Sequence, residues 1–319
     1  MANLSTLPDE ILLQILTYLT PAPLTLSSKP HAYWPAYLSK HRESTLPQTK
    51  DIASLAHTSS HLYSILYASL HSTLHLSNAS SPAKLWDSIT LNGRLGLSIT
   101  SAHISSISPE NCVFIFFLPN IRSIYLSGWS DWETFDPEDD SLNGDSPITH
   151  LYLSNCGAFE APLKQVLSWP RELKELWFEA SQGEWEGHLE GEEAVGFTCS
   201  AISRALEPLA ASLEKLVFTR VDPGHEGLFI TDGIDLRKFE KLRELKTFEM
   251  LLVGYDSQHG MWKNLPSGLE SLEVWYDDPG YSEFLTGGLP EWLLGILRRK
   301  KERFPKLGRV RGCVARVVG

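Results

Sequence analysis

The feature that most constrains the fold of this chain is an apolar pattern that recurs from about residue 95. In each copy, apolar residues occupy positions one, four and six, and a polar or turn-forming cluster follows. Copies start at residues 121, 148, 173, 213, 242 and 269. Their three positions are Ile121, Ile124 and Leu126; Ile148, Leu151 and Leu153; Leu173, Leu176 and Phe178; Leu213, Leu216 and Phe218; Leu242, Leu245 and the polar exception Thr247; and Leu269, Leu272 and Val274. A period of this length predicts an array of stacked repeats.

The alternation inside each copy predicts one short parallel strand per repeat, followed by a segment that returns over the other side. We therefore expect an α/β fold with a parallel sheet. Helices are predicted at 109–118, 161–169, 200–211 and 290–304. Degenerate copies of the pattern are predicted at Leu95-x-Leu97-x-Ile99 and, near the carboxyl end, at Leu307-x-x-Val310.

The amino-terminal segment 7–19 carries a different pattern. Pro8 in the first turn, followed by Asp9 and Glu10, is typical of a helix start, and Thr6 is a suitable cap. The apolar residues that follow lie on one broad stripe of the predicted helix. A second periodic segment, 51–67, predicts a helix that packs on this stripe, so the two segments indicate a small helical module.

This module resembles the F-box. Leu7-Pro8-x-Glu10-Ile11-Leu12-x-x-Ile15-Leu16-x-x-Leu19 is similar to the first F-box helix, and Leu55-Ala56-x-Thr58-Ser59-x-x-Leu62-Tyr63 is similar to the closing half of the motif. In that family the apolar face is shared between the module's own core and the Skp adaptor of a cullin-RING ubiquitin ligase. The resemblance implies an adaptor-binding set of Leu7, Pro8, Ile11, Leu12, Ile15, Leu16 and Leu19. The alternative is an amphipathic helix that belongs entirely to a larger core.

The spacing between the two halves departs from the F-box pattern. F-boxes pass from the first helix to the second within a few residues, whereas residues 24–50, with several prolines, intervene here. We interpret this segment as an inserted loop. The predicted domains are an F-box helical module over residues 1–75, with its inserted loop at about 24–50, and a repeat domain over 76–319, with helix 290–304 as a cap.

The repeat region resembles the leucine-rich-repeat half of fungal-type F-box proteins over most of residues 95–319. This resemblance implies a curved α/β solenoid. Both halves together imply a non-catalytic subunit of a Skp–cullin–F-box ubiquitin ligase, which binds the Skp adaptor and recruits a protein substrate through its repeats. The alternative, from a different class, is a repeat-based scaffold that binds proteins without ubiquitin transfer.

Substrate contact is predicted on the sheet face opposite the core, because side chains alternate across a strand. One column on that face includes Tyr125, Tyr152 and Trp177, and the next includes Trp275. Exposed Tyr and Trp are enriched where proteins bind each other, so these four residues are candidate substrate-binding residues. The alternative is that the rings stack on one another and stabilise the sheet. Both interpretations remain open at the level of sequence.

Charge is unevenly distributed along the chain. The formal net charge of -11 disfavours general nucleic-acid binding. Two acidic stretches, at 131–145 and 179–193, are predicted to be solvated loops, with a basic partner as the alternative. Residues 290–319 instead carry nine Lys or Arg. We interpret these as a solvated helix face, with an acidic partner or a nuclear-import signal as alternatives.

The sequence contains no nucleophile, zinc or phosphate-cradle motif, so no catalytic, cofactor-binding or metal-ligating residue is predicted. Cys112, Cys156, Cys199 and Cys313 form no C-x-x-C pair and indicate buried thiols in a reducing compartment. The longest apolar run, 112–118, is too short to span a bilayer, and residues 1–4 lack the features of a secretory signal. We therefore expect a cytoplasmic or nuclear protein that does not associate with membranes.

Overall fold

The computed structural model describes residues 8, 10–12, 14, 50–77, 81–105, 107, 109–129, 140–156, 160–180, 198–220, 233–253, 261–276 and 291–314. These residues form an α/β structure built on one nine-stranded parallel sheet with accompanying helices. The predicted α/β class with a parallel sheet is confirmed. No helix in these ranges is long and apolar enough to cross a membrane.

The strand order in the sheet is the order in the sequence, from β1 to β9. The strands are β1 (Thr73–Leu76), β2 (Ser101–Ser105), β3 (Ser123–Ser127), β4 (His150–Cys156), β5 (Glu175–Ala180), β6 (Lys215–Arg220), β7 (Glu244–Phe248), β8 (Ser271–Tyr276) and β9 (Arg309–Val314). Every neighbouring pair is parallel. Parallel neighbours require a connection that crosses back between them, so each strand begins a new repeat.

Short helices occupy the connections and the amino-terminal module. They are α1 (Ser60–Leu70), α2 (Pro82–Leu91), α3 (Gly93–Ser98), α4 (Val113–Phe116), α5 (Glu160–Ser168), α6 (Cys199–Ala205), α7 (Glu249–Val253), α8 (Glu291–Arg298) and α9 (Lys300–Arg303). Residues 10–12, 14 and 50–56 are also helical. Side-chain caps fix several helix starts, because Ser59 accepts the Leu62 N–H in α1 and Thr198 accepts the Ala201 N–H in α6.

The strand register aligns the predicted repeat positions across the sheet. The fourth positions form one row: Leu74, Ala102, Ile124, Leu151, Leu176, Leu216, Leu245, Leu272 and Val310. The register of the irregular copy at 242 is fixed by Leu245, which lies opposite both Leu216 and Leu272. Thr247 takes the sixth position of this copy and is fully buried there.

The first repeats differ from the prediction. The copy predicted at Leu95-x-Leu97-x-Ile99 is wrong, because α3 covers most of this segment. The actual strand is β2, and Ile99, just before it, takes position one of the copy, while Ala102 and Ile104 within it take positions four and six. The small side chain of Ala102 concealed the pattern. The structure also adds a strand that the pattern did not predict, β1, so that the sheet begins at Thr73.

The carboxyl end follows the prediction in most respects. The predicted helix at 290–304 is present as α8 and α9, and Trp292, Leu293, Ile296 and Phe304 are buried as expected. Leu297 differs, since 44% of its surface is exposed. The predicted copy Leu307-x-x-Val310 is confirmed: Leu307 is buried and Val310 lies in β9 opposite Leu272.

The buried apolar residues form two separate cores. The larger runs through the sheet domain from Leu76 to Leu307 and contains bulky side chains such as Trp169, Phe178 and Phe218. The smaller belongs to the helical module and consists of Leu12, Ile52, Ala56, Leu62 and Leu66, with a few partly buried residues around it.

Candidate functional site

The predicted adaptor-binding helix is divided between core and surface at two successive residues. Leu12 is 3% exposed and packs in the small core, whereas Ile11 is 42% exposed. Pro8 is exposed as well, and its carbonyl oxygen accepts the backbone N–H groups of Ile11 and Leu12 at 3.0 and 3.1 Å. The other members of the predicted set lie outside the described residues: Leu7, Ile15, Leu16 and Leu19.

Among the described residues of the module, a second large apolar side chain is exposed. Tyr63 on α1 is 42% exposed, the same fraction as Ile11. Its ring meets the buried Tyr67 edge-on, with the ring centroids 5.7 Å apart. The described part of the module therefore presents two large apolar side chains to its surroundings, Ile11 and Tyr63, at separate points of the sequence.

A polar contact joins the module to the first repeats. The Asn92 amide donates to the Tyr67 hydroxyl oxygen at 2.9 Å, and the Arg94 guanidinium lies 4.3 Å from the centre of the Tyr67 ring. Arg94 also donates to the carbonyl oxygen of Ser64 at 2.8 Å. Tyr67 is itself buried, so this contact fixes α1 relative to the segment that starts α3.

The predicted column that includes Tyr125, Tyr152 and Trp177 is present as a row of paired residues across the sheet. Register places the following residues side by side: His75, His103, Tyr125, Tyr152, Trp177, Val217, Lys246, Glu273 and Arg311. The rings at its start form a ladder. Centroids are 4.8 Å apart between His75 and His103, 4.5 Å between His103 and Tyr125, and 4.3 Å between Tyr125 and Tyr152.

The candidate rings themselves are buried. Tyr125 is 5% exposed, Tyr152 and Trp177 are 4% exposed, and Trp275 is 1% exposed. Tyr125 and Tyr152 stack with an angle of 7° between their planes. The pKa of the Tyr152 hydroxyl is raised well above its ordinary value. Burial is the largest cause, and the neighbouring Tyr125 and Glu175 raise it further. The contact of Tyr125 with Tyr152 is the one that the stacking alternative expects, whereas Trp275 meets Phe248 edge-on.

The exposed start of the ladder was missed by sequence reasoning. His75 is exposed and His103 is half-buried. Both lie in β1 and β2, the two strands whose copies of the pattern the sequence did not reveal. The register of β1, β2 and β3 places these histidines in the same row as the tyrosines.

The other end of the row is charged. Lys246 is 8% exposed, and its Nζ lies 3.2 Å from Glu244 Oε1 and 3.8 Å from Glu273 Oε2. The Trp275 indole N–H donates to Glu273 Oε1 at 2.9 Å. Lys215 and Glu175 form a further ion pair at 3.0 Å. The sheet face thus changes from rings to paired charges between β5 and β7.

Glu179 corrects the prediction that the second acidic stretch lies in a loop. It is the last-but-one residue of β5 and only 3% exposed. The Ser154 hydroxyl donates to Glu179 Oε2 at 2.6 Å, and the Asn155 backbone N–H donates to it at 3.3 Å. Burial raises the pKa of the Glu179 carboxyl in spite of both donors. The register shift in β4 and the left-handed φ of 52° at Asn155 allow this approach.

No catalytic constellation accompanies these groups in the described ranges. They contain no cluster of three or more His, Cys, Asp or Glu that could hold a metal ion. Cys112, Cys156 and Cys199 are buried as predicted and are not in disulfides, and burial raises the pKa of the Cys156 thiol. Residues 24–49 of the predicted loop and most of the two acidic stretches lie outside the described residues, whereas Lys50, the last residue of the predicted loop, is helical.

Comparison with known proteins adds no assignment. No protein-family model matches this chain, and a search of curated proteins finds no match. The F-box resemblance therefore depends on the residues quoted above.

Proposed function

We propose that this protein is the substrate-recognition subunit of a Skp–cullin–F-box ubiquitin ligase. In this proposal, residues 1–75 are an F-box module that binds the Skp adaptor. Residues 76–319 are a curved, leucine-rich-repeat-like solenoid that holds a protein substrate. The observation that carries the proposal is the division of the first helix between the exposed Ile11 and the buried Leu12.

A helix face that serves both its own core and a partner must keep apolar side chains outside the core. Leu12 fills the small cluster with Ile52, Leu62 and Leu66. Ile11 and Pro8 lie beside Leu12 in sequence but are exposed, and neither belongs to that cluster. An exposed apolar residue beside a core residue of the same helix is available to the groove of a partner, which is the contact that an adaptor would make.

The repeat domain would contribute proximity, and its partners would contribute the chemistry. Holding a substrate close to the charged ubiquitin carrier raises the effective concentration of its lysines. This division of labour is consistent with a sheet face on which buried titratable groups are engaged in structural contacts, such as Lys246 with Glu273 and Glu179 with Ser154.

We propose that the substrate lies on the sheet face that carries Tyr125, Tyr152, Trp177 and Trp275. Because these rings are buried, their role in this proposal is to make the face rigid. Direct contact would come from exposed residues of the same face, such as His75 and Ser105 at one end and Arg309 and Arg311 at the other.

Co-expression of the full chain with the Skp adaptor, followed by size-exclusion chromatography, tests the adaptor step. The wild-type chain should co-elute with the adaptor, and Ile11→Asp should abolish co-elution. Tyr63→Asp is the matched control, because it places the same charge on an apolar residue of equal exposure on α1. Leu12→Asp is unsuitable, since a charge in the small core would unfold the module.

Two results would contradict the proposal. If Ile11→Asp co-elutes as the wild-type chain does, the exposed face of the first helix does not bind the adaptor. If the folded wild-type chain never forms the complex, the repeat-based scaffold without ubiquitin transfer is favoured instead.

A further inference from the structure

The nine-stranded sheet ends at β9. Among the described strands, β9 pairs with β8 on one side and has no strand on the other. A strand at the edge of a sheet presents backbone N–H and C=O groups that can pair with another extended segment. The same holds at the opposite end, where β1 pairs with β2 alone in the described sheet.

The two edges differ in charge. On the face opposite the core, β1 carries the exposed Thr73 and His75, whereas β9 carries the exposed Arg309 and Arg311. These arginines are two residues apart, so both point to the same face, with a separation of about 6.6 Å along the strand. An added strand has the same repeat, and its alternate residues would fall beside them.

The arginines belong to a larger basic surface. Exposed cations in and around α8, α9 and β9 are Arg298, Arg299, Lys300, Lys301, Lys306, Arg309 and Arg311. Glu302 is the one exposed acid among residues 298–311. This surface stands out in a chain whose formal net charge is -11.

Most of these charges are not neutralised within the described part of the chain. Lys300, Lys301, Lys306, Arg309 and Arg311 form no ion pair with any residue described there. Arg311 lies opposite Glu273 in register, but the Glu273 carboxylate is already engaged by Lys246 and by the Trp275 indole.

We propose that β9 is a docking edge for an extended acidic peptide of a partner protein. The peptide would add to the sheet as a further strand, and its alternate Asp or Glu residues would pair with Arg309 and Arg311. Backbone hydrogen bonds supply affinity in this mode of recognition, and side chains on one face supply specificity. The arginines repel a second copy of the same edge while they attract an acidic strand, so charge selects the occupant.

This inference is independent of binding to the Skp adaptor, because it concerns the opposite end of the chain and needs no ubiquitin transfer. It concerns two arginines, Arg309 and Arg311, that the proposed function also places in contact with a substrate. The test uses the purified full chain and a fluorescently labelled peptide of about eight residues, in which glutamate alternates with threonine. Fluorescence anisotropy should show saturable binding that weakens as salt concentration rises. A peptide with lysine in place of glutamate should not bind.

The variant Arg309→Gln with Arg311→Gln should weaken binding about three- to tenfold, as expected for the loss of two exposed ion pairs. The matched control is Lys300→Gln with Lys301→Gln, which removes the same charge from the neighbouring helix and should have a smaller effect. A second glutamate peptide, with proline in place of alternate threonines, keeps its charge but loses backbone donors and should bind more weakly.

Three results would overturn the proposal. Equal losses in the two double variants would show general attraction to the basic surface without strand addition. Undiminished binding of the proline peptide would show the same. Tighter binding of a single-stranded RNA oligomer than of the glutamate peptide, sensitive to the same arginines, would assign the edge to a nucleic acid instead.

Discussion

The helical module and the sheet domain are built on very unequal cores. Among the described residues, five buried side chains form the core of the module, whereas those of the sheet domain form a continuous core that runs from Leu76 to Leu307. A core as small as the first supplies little free energy of folding by itself. The comparison suggests that the module depends on its contacts with the first repeats, and on any partner that covers Ile11, far more than the sheet domain depends on the module.

The largest effect is expected on the sheet domain, from the loss of a ring on the face opposite the core. Trp177→Ala should lower the free energy of unfolding by about 3 to 5 kcal/mol, because the side chain is 4% exposed between Tyr152 and Val217. Chemical denaturation checks this value. A loss below about 1 kcal/mol would show that the ring is free to bind a partner.

A matched pair of leucines tests whether the two cores are separate. Leu66→Ala and Leu151→Ala both remove a fully buried side chain and should each cost about 2 to 5 kcal/mol locally. Hydrogen exchange should show lost protection in 50–70 for the first variant and in the sheet for the second. Loss of protection throughout the chain in the Leu66 variant would mean that the two regions unfold as one unit.

A substitution at the junction between the two regions should change the free energy of unfolding by less. Arg94→Ala removes the contact with the Tyr67 ring and the hydrogen bond to Ser64, and should cost the module about 1 to 2 kcal/mol. The readout is amide exchange in α1, with the sheet as internal reference. Unchanged exchange in α1 would show that the module does not depend on this contact.

The smallest effect is a change in pH dependence within the sheet domain. Because burial raises the pKa of Glu179, the folded chain keeps this proton at pH values where the unfolded chain has lost it. Its contribution to stability is therefore complete below the unfolded pKa and is lost as pH rises through the folded pKa. Glu179→Gln should flatten the fall in unfolding midpoint as pH rises above the ordinary glutamate pKa of about 4.3. Parallel curves for the two proteins would contradict this expectation.

The sequence predicted the strands best where large apolar residues occupied all three repeat positions. Alternation alone placed Leu151, Leu176 and Leu216 in one row, and the structure has them in register. It failed at β2, where Ala102 takes a core position, because a small residue carries little of the apolar signal. A search for large apolar residues at these positions therefore misses any copy in which a small residue takes one of them.

The candidate surfaces were harder to predict than the strands. Alternation correctly assigned Tyr125 and Tyr152 to one row, but it does not reveal what covers that row. The burial of both rings depends on their mutual stacking and on neighbours distant in sequence. Glu179 shows the same limit, since its burial arises from the local shift in β4, which brings Ser154 and Asn155 to its carboxylate.

The identity of strand order and sequence order has a consequence for synthesis. Each strand from β2 onward can pair with its predecessor as soon as it leaves the ribosome, because no strand waits for a partner made later. During translation the most recent strand is always the free edge of the growing sheet. Among the described strands, β9 is the last to fill that position, so Arg309 and Arg311 join the sheet only after the other eight strands have had the chance to pair.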